Sequence, residues 1–331
     1  MTKHEALAKS VTALIASIAV TLLSACATVG TGPDTVQRSE HWVQSASGAD
    51  GKPLKVNIVE KRSKSIETSA FAKSGKVVLL AHGAGVPGSV MFDLQVPGTS
   101  GTTYSLMDYL AGQGFNVFSI DFQNYGRSDK HPCGLCVTAT VAANDVNAAI
   151  DYIRKLRGVD KVNLLGWSWG VQVTSLVAIQ HPEKVRRLVM YAPPVWSGPR
   201  GNAPTTEFRT VPPENMRQLL SQAPADAVAV EALAKENAQW GATVPNGVGL
   251  DLTSARMPLF DPKNVTAPTM VIVGSHDKTT LPTHPNLPGF FAALPNGDKQ
   301  MIVVPNAGHA MTLENQRFRF YSEVAKWLSI E

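Results

Sequence analysis

The chain has 331 residues, 44% of them hydrophobic and 17% charged, which is enough length and apolar content for one large domain or two small ones. Its formal charge of +4 and pI near 8.9 are mildly basic. The lysines and arginines are scattered rather than gathered into the stripe that a phosphate backbone requires, which argues against a nucleic-acid partner.

Lys3 and Lys9 give a positive start, Val11 to Leu23 is an apolar run, and small residues follow. That is the layout of a secretory signal peptide, and the run is shorter than the roughly 20 residues needed to cross a bilayer. Leu23-Ser24-Ala25-Cys26 resembles the bacterial lipobox, in which cleavage precedes a cysteine that is then acylated. The expectation is a signal peptide over residues 1–25 and a flexible tether over residues 26–39. Cys26 would be the lipidated residue that anchors the protein to a membrane of the bacterial cell envelope, facing the periplasm or exterior. Ordinary secretion with cleavage after Ala27 is the alternative, because Ala25 and Ala27 also form a small-x-small site.

Trp42 to Ser45 and Leu54 to Glu60 alternate in polarity around Gly48-Ala49-Asp50-Gly51 and read as an antiparallel hairpin. Lys76 to Ala81 reads as a strand covered on both faces, ending at His82-Gly83-Ala84-Gly85. Gly83, Gly85 and Gly88 match a dinucleotide fingerprint, but Pro87 stands where the helix should start and no acidic residue closes a following strand. The competing reading is an oxyanion hole, with the backbone N–H of Ala84 as one donor. Tyr104 to Gly112 reads as an amphipathic helix and Phe115 to Ile120 as a buried strand. Asp121, which opens the loop to Asp129, is read as holding that loop by hydrogen bonds.

Cys133 and Cys136 precede a helical pattern over Val141 to Leu156. With Cys26 acylated they form an even pair in an oxidising compartment, so a local disulfide is expected. A reactive dithiol is the weaker reading, and zinc is weaker still, since His131 supplies only a third ligand.

Gly166-Trp167-Ser168-Trp169-Gly170 lies between a buried strand, Val162 to Leu165, and a helix, Val171 to Gln180. A serine between glycines at a strand-to-helix turn is a nucleophile elbow, which makes Ser168 the candidate nucleophile and the N–H of Trp169 the second oxyanion donor. After a strand over Val185 to Tyr191 the strand-helix rhythm stops. Residues 196–262 read as a cap with helices over Pro213 to Gln222 and Ala225 to Trp240. Trp196, Phe208, Met216, Trp240 and Phe260 would either line a crevice or pack the cap to the core. Strands over Pro268 to Val273 and Met301 to Val304 are followed by Asp277 and His309, and a helix over Phe318 to Leu328 ends the chain. Serine, aspartate and histidine thus follow one another at the carboxyl edge of one sheet. His82, His276 and His284 are read as structural.

These pieces together resemble the α/β-hydrolase family over residues 40–330. The resemblance implies an α/β fold with a mostly parallel sheet, helices on both faces, a core of residues 40–195 and 263–331, and a helical cap insert. It also implies a serine hydrolase in which His309 activates Ser168, Asp277 orients His309, and Ala84 and Trp169 bind the oxyanion. No metal or organic cofactor is called for. Carboxylic ester hydrolysis of a small-molecule or lipid substrate is the expected activity. Amide or peptide hydrolysis on the same triad is the alternative, with a non-catalytic binding lipoprotein behind it.

Overall fold

The computed structural model describes residues 35–45, 53–100, 103–198, 200–254, 257–280 and 282–331. The expected signal peptide and Cys26 lie outside the described residues. Among those described, no helix is long and apolar enough to cross a membrane.

The chain opens with β1 (Val36–Gln44), β2 (Lys55–Ser63) and β3 (Val77–Ala81), followed by α1 (Gly88–Met91) and α2 (Leu106–Gly112). Then β4 (Asn116–Asp121), α3 (Ala139–Arg157), β5 (Val162–Trp167), α4 (Trp169–Gln180) and β6 (Val185–Tyr191) alternate. An insert carries β7 (Phe208–Thr210), α5 (Pro213–Leu220), α6 (Ala227–Trp240), β8 (Thr243–Pro245) and α7 (Gly247–Leu252). The chain returns with β9 (Thr269–Gly274), α8 (Asn286–Ala293), β10 (Lys299–Val304) and α9 (Arg317–Leu328).

Eight strands form one sheet in the order β1-β2-β4-β3-β5-β6-β9-β10. The first two pairings are antiparallel and the rest parallel. Strands β3, β4, β5 and β9 are buried along their whole length, so they read as continuous apolar runs because helices cover both faces. The edge strand β1 differs from the sequence expectation. It starts at Val36 rather than Trp42, so residues 36–39, assigned to the tether, are strand. Gln37-Arg38-Ser39-Glu40 carries no apolar alternation because β1 pairs on one side only.

Helix ends follow local chemistry. Ser105 caps α2 by accepting the N–H of Asp108 at 3.0 Å. The long α3 ends at Gly158, whose φ of 64° is left-handed, with Arg154, Lys155 and Arg157 in its last turn against the dipole. In the insert, β7 and β8 form a short antiparallel ribbon and α5 packs on α6.

The insert is seated on the loop that carries Cys133 and Cys136, which are disulfide-bonded to each other. Between them, the carbonyl of Gly134 accepts the N–H of Gly247 at 2.9 Å and the N–H of Leu135 donates to Glu207 at 2.8 Å. A tight covalent turn therefore serves as the socket for β7 and α7.

Candidate active site

The turn from β5 into α4 carries Ser168 with φ 54° and ψ −121°. A non-glycine residue held at positive φ costs on the order of 1–3 kcal/mol and persists only where its surroundings dictate it. Here they do. A Cβ at Gly170 would lie 2.5 Å from the carbonyl oxygen of Ala81, and one at Gly166 would collide with Thr174 and Gly170. Only glycine on either side lets α4 close onto the ends of β3 and β5, and the serine between them is forced outward. Its N–H is tied to the carbonyl of Tyr191 at 2.8 Å.

His309 and Asp277 come from the loops after β10 and β9. His309 donates from Nδ1 to Asp277 Oδ2 at 2.9 Å, and both are buried. The other carboxylate oxygen of Asp277 accepts the N–H groups of Thr279 and Thr280 at 2.7 and 2.8 Å, while Thr280 hooks the carbonyl of Ala192. Trp167, the residue before the serine, donates its indole N–H to the carbonyl of His309 at 2.8 Å, with the two rings 5.4 Å apart. The imidazole is thus held beside the elbow. Ser168 and His309 are only 8% and 4% exposed, so the site is almost closed to water.

One buried side chain near these loops escaped the reading of the sequence. Glu314 accepts the N–H groups of Gly308 and Ala310, the two neighbours of His309, at 2.5 and 3.1 Å. Burial pushes its pKa up to about 7, against those two N–H groups and the nearby His309. An acidic residue five positions after the histidine, closing the largely apolar stretch Ala310 to Leu313, was the available signal. His82, read as merely structural, donates from Nδ1 to the carbonyl of Gly83 at 2.7 Å and accepts the N–H of Phe122 at its Nε2. Those partners fix its tautomer, and complete burial holds its pKa down to about 4, so it is neutral.

Gly83 packs against the elbow, since a Cβ there would lie 3.2 Å from that of Ser168 and 3.0 Å from the Trp167 ring. The next residue, Ala84, has its carbonyl bound by Tyr125 Oη at 3.0 Å and by Arg209 Nη2 of β7 at 2.8 Å. Trp169 is fully buried, and its indole N–H donates to Asp251 of α7 at 2.8 Å.

A family model described as the alpha/beta hydrolase fold matches residues 76–316. The chain belongs to the α/β-hydrolase family. Among solved structures, this α/β hydrolase is similar to a hydrolase from Pseudomonas aeruginosa PA01, with TM-score 0.62 and 20% identity over 88% of this chain and 99% of that one. It is also similar to a thermophilic esterase from Thermogutta terrifontis, with TM-score 0.59 and 18% identity over 87% and 98% of the two chains. At such identities the likeness is one of fold, and an epoxide hydrolase from Vigna radiata fits as well, with TM-score 0.60 and 16% identity over 90% and 97% of the two chains.

Curated relatives match in part only. A 2-hydroxy-6-oxononadienedioate/2-hydroxy-6-oxononatrienedioate hydrolase from Paraburkholderia phymatum is 27% identical over 44% of this chain and 43% of its own length. A poly(3-hydroxyalkanoate) polymerase subunit from Allochromatium vinosum is 44% identical over 15% of this chain and 14% of its own.

Within this hydrolase the remaining sequence expectations fall as follows. Asp121 holds the loop after β4, accepting the N–H of Arg127 and both the N–H and hydroxyl of Ser89. Of the expected crevice lining, Phe260 packs against Phe290 of α8, with ring centroids 6.2 Å apart, and Trp240 lies under the guanidinium of Arg127 at 4.2 Å. These two aromatics join the insert to the core. Arg209 and Asp251, which reach the loop after β3 and the elbow, gave no signal: each is a lone charged residue in a segment without clear periodicity.

Proposed function

We propose that the protein is a serine hydrolase that cleaves carboxylic esters through an acyl-enzyme. The observation that carries this reading is Ser168 held at positive φ between two glycines that admit no side chain, with its neighbour Trp167 bonded to a histidine that is paired to a buried aspartate. His309, its Nδ1–H held by Asp277, takes the Ser168 hydroxyl proton at Nε2 as the oxygen attacks the ester carbonyl carbon. The N–H groups of Ala84 and Trp169 stabilise the negative oxygen of the tetrahedral intermediate, and the N-terminus of α4 adds its dipole. The alkoxy oxygen leaves with the proton from His309. Water then repeats the sequence on the acyl-enzyme and releases the acid.

Ester cleavage is placed ahead of amide cleavage because an alkoxide is a better leaving group than an amide nitrogen and so asks less of the general acid. Hydrolysis of a p-nitrophenyl ester ladder from acetyl to palmitoyl, beside Ser168→Ala, tests the reading. Turnover lost by about 10,000-fold or more in the variant supports it. An unlabelled Ser168 after fluorophosphonate treatment of the wild type rules it out, and labelling without ester turnover moves the substrate to amides. The same reading puts Cys26 forward as the acylated anchor. A mature N-terminal mass of Cys26 plus acyl chains supports that, and a start at Thr28 excludes it.

A further inference from the structure

The two residues whose N–H groups would bind the oxyanion share a feature that the rest of the site lacks: each is gripped by a charged side chain of the insert. Arg209 uses Nη1 to bind the carbonyl of Pro245 at 3.1 Å and the side chain of Asn246 at 3.2 Å, both within the insert. Its Nη2 then crosses to the carbonyl of Ala84 at 2.8 Å. Asp251 Oδ2 accepts the indole N–H of Trp169 at 2.8 Å and the N–H of Ala139, the first residue of α3, at 2.7 Å. Neither grip involves the N–H that would meet substrate.

The geometry explains why a grip is needed. The peptide between Gly83 and Ala84 is oriented by His82, and the peptide between Ala84 and Gly85 by Tyr125 and Arg209. Together these hold the direction of the Ala84 N–H. Sterics do not hold the second peptide, because a Cβ at Gly85 would meet nothing within 4 Å. With glycine at both 83 and 85, the loop turns freely once its hydrogen bonds are released. A charge-assisted donor such as arginine is about twice as strong as a neutral one, so Arg209 outweighs Tyr125 on the shared carbonyl.

Resting on Ser168 as the nucleophile, we propose that Arg209 and Asp251 are positioning residues through which seating of the insert forms the oxyanion hole. An insert lifted from the core takes its arginine from Ala84 and its carboxylate from Trp169 together. The acid-base pair keeps its own bonds, which come from the core, and loses only a brace on neighbouring backbone, where Gln222 accepts the N–H of Lys278 and the carbonyl of Pro224 that of Asn315, both at 2.9 Å. Cap position then sets catalytic power, and substrate that seats the cap switches on its own transition-state stabilisation.

The test compares full-length wild type, Arg209→Met, Arg209→Lys and Asp251→Asn in steady-state hydrolysis of a p-nitrophenyl ester, in inhibition by a phenylboronic acid, and in thermal unfolding. Arginine to methionine keeps the stem and removes the donors. The expected result is a fall in kcat of about 10- to 100-fold for Arg209→Met, below the cost of deleting an oxyanion donor outright. KM should stay within about twofold, and boronate affinity should fall in step with kcat, because only the tetrahedral adduct uses the hole. Arg209→Lys should recover part of the loss and Asp251→Asn should show a smaller one, with the pH-rate profile unshifted because His309 is untouched. Unchanged kcat, or kcat, KM and melting temperature falling together, overturns the inference. A wild type inert to both ester and fluorophosphonate instead overturns the reading of the site on which it rests.

Discussion

The side chains of Asp277 and His309 are held by core residues, with the insert reaching only nearby backbone at Lys278 and Asn315, whereas Ala84 and Trp169 are themselves held in part from the insert. On the first side, Thr279 and Thr280 hold the carboxylate, Glu314 holds both neighbours of the histidine, and Trp167 holds its carbonyl. Tyr191 and Tyr321 brace Thr312, between His309 and Glu314, through its N–H and its carbonyl. On the second side, the links from Arg209 and Asp251 cross from a segment that the sheet does not contain. On the proposed reading, the proton-transfer pair draws its own bonds from the core, and charge stabilisation depends more on how the insert sits. Machinery for moving a proton is useless without a place for the resulting charge, so a hydrolase arranged this way is governed through its weaker half.

The largest break in this comparison comes from the core side. Asp277→Asn should lower kcat by about 10,000-fold with KM little changed, because an amide presents the wrong partner to Nδ1; steady-state ester hydrolysis checks it. Glu314→Ala should leave two buried N–H groups without acceptors, at roughly 1–3 kcal/mol each. Chemical denaturation should show a loss of a few kcal/mol, and kcat should fall more than KM rises. If activity survives intact, Glu314 has no part in holding His309.

Asp145 tests the support behind Tyr125. It accepts the N–H and the side-chain amide of Gln123 and the hydroxyl of Ser45, and burial raises its pKa to about 6 from 3.8. Between about pH 4 and 6 the unfolded chain gives up this proton and the folded chain keeps it. Stability is therefore highest below that window and lost as pH rises through it, by on the order of 2–3 kcal/mol. Asp145→Asn should remove that slope, since Ser45 and Gln123 can reverse their roles to accept from the new amide. Urea unfolding at pH 4, 5, 6 and 7 reads the difference, and equal slopes in both proteins would refute it. The smallest effect should come from Tyr125→Phe. It removes the neutral donor on Ala84 and should cost about 1 kcal/mol, or some fivefold in kcat, less than Arg209→Met.

How far the sequence could be read divides along the same line. Core strands were legible because burial on both faces leaves an unbroken apolar run, as in Val77 to Ala81 and Val185 to Tyr191, whose ends in the structure match closely. The placement of Ser168, Asp277 and His309 beyond strand ends was legible because each follows such a strand. The short β7, β8 and α7 were not, since three to six residues are too few for a period to show. Arg209 and Asp251 were hidden for a related reason: their partners are a backbone carbonyl and an indole far away in the chain, and no local pattern announces such a meeting.

The bonds that assemble the site join residues far apart along the chain. Trp167 meets His309 across 142 positions, Arg209 meets Ala84 across 125, and Asp251 meets Trp169 across 82. Such long-range closures form late, after local helices and hairpins. On the proposed reading, a partly collapsed chain thus has its serine but not the partners that would make it reactive toward esters. Reactivity of Ser168 is a clock for completed folding: after dilution from denaturant, helical signal should return first and covalent capture of the serine last.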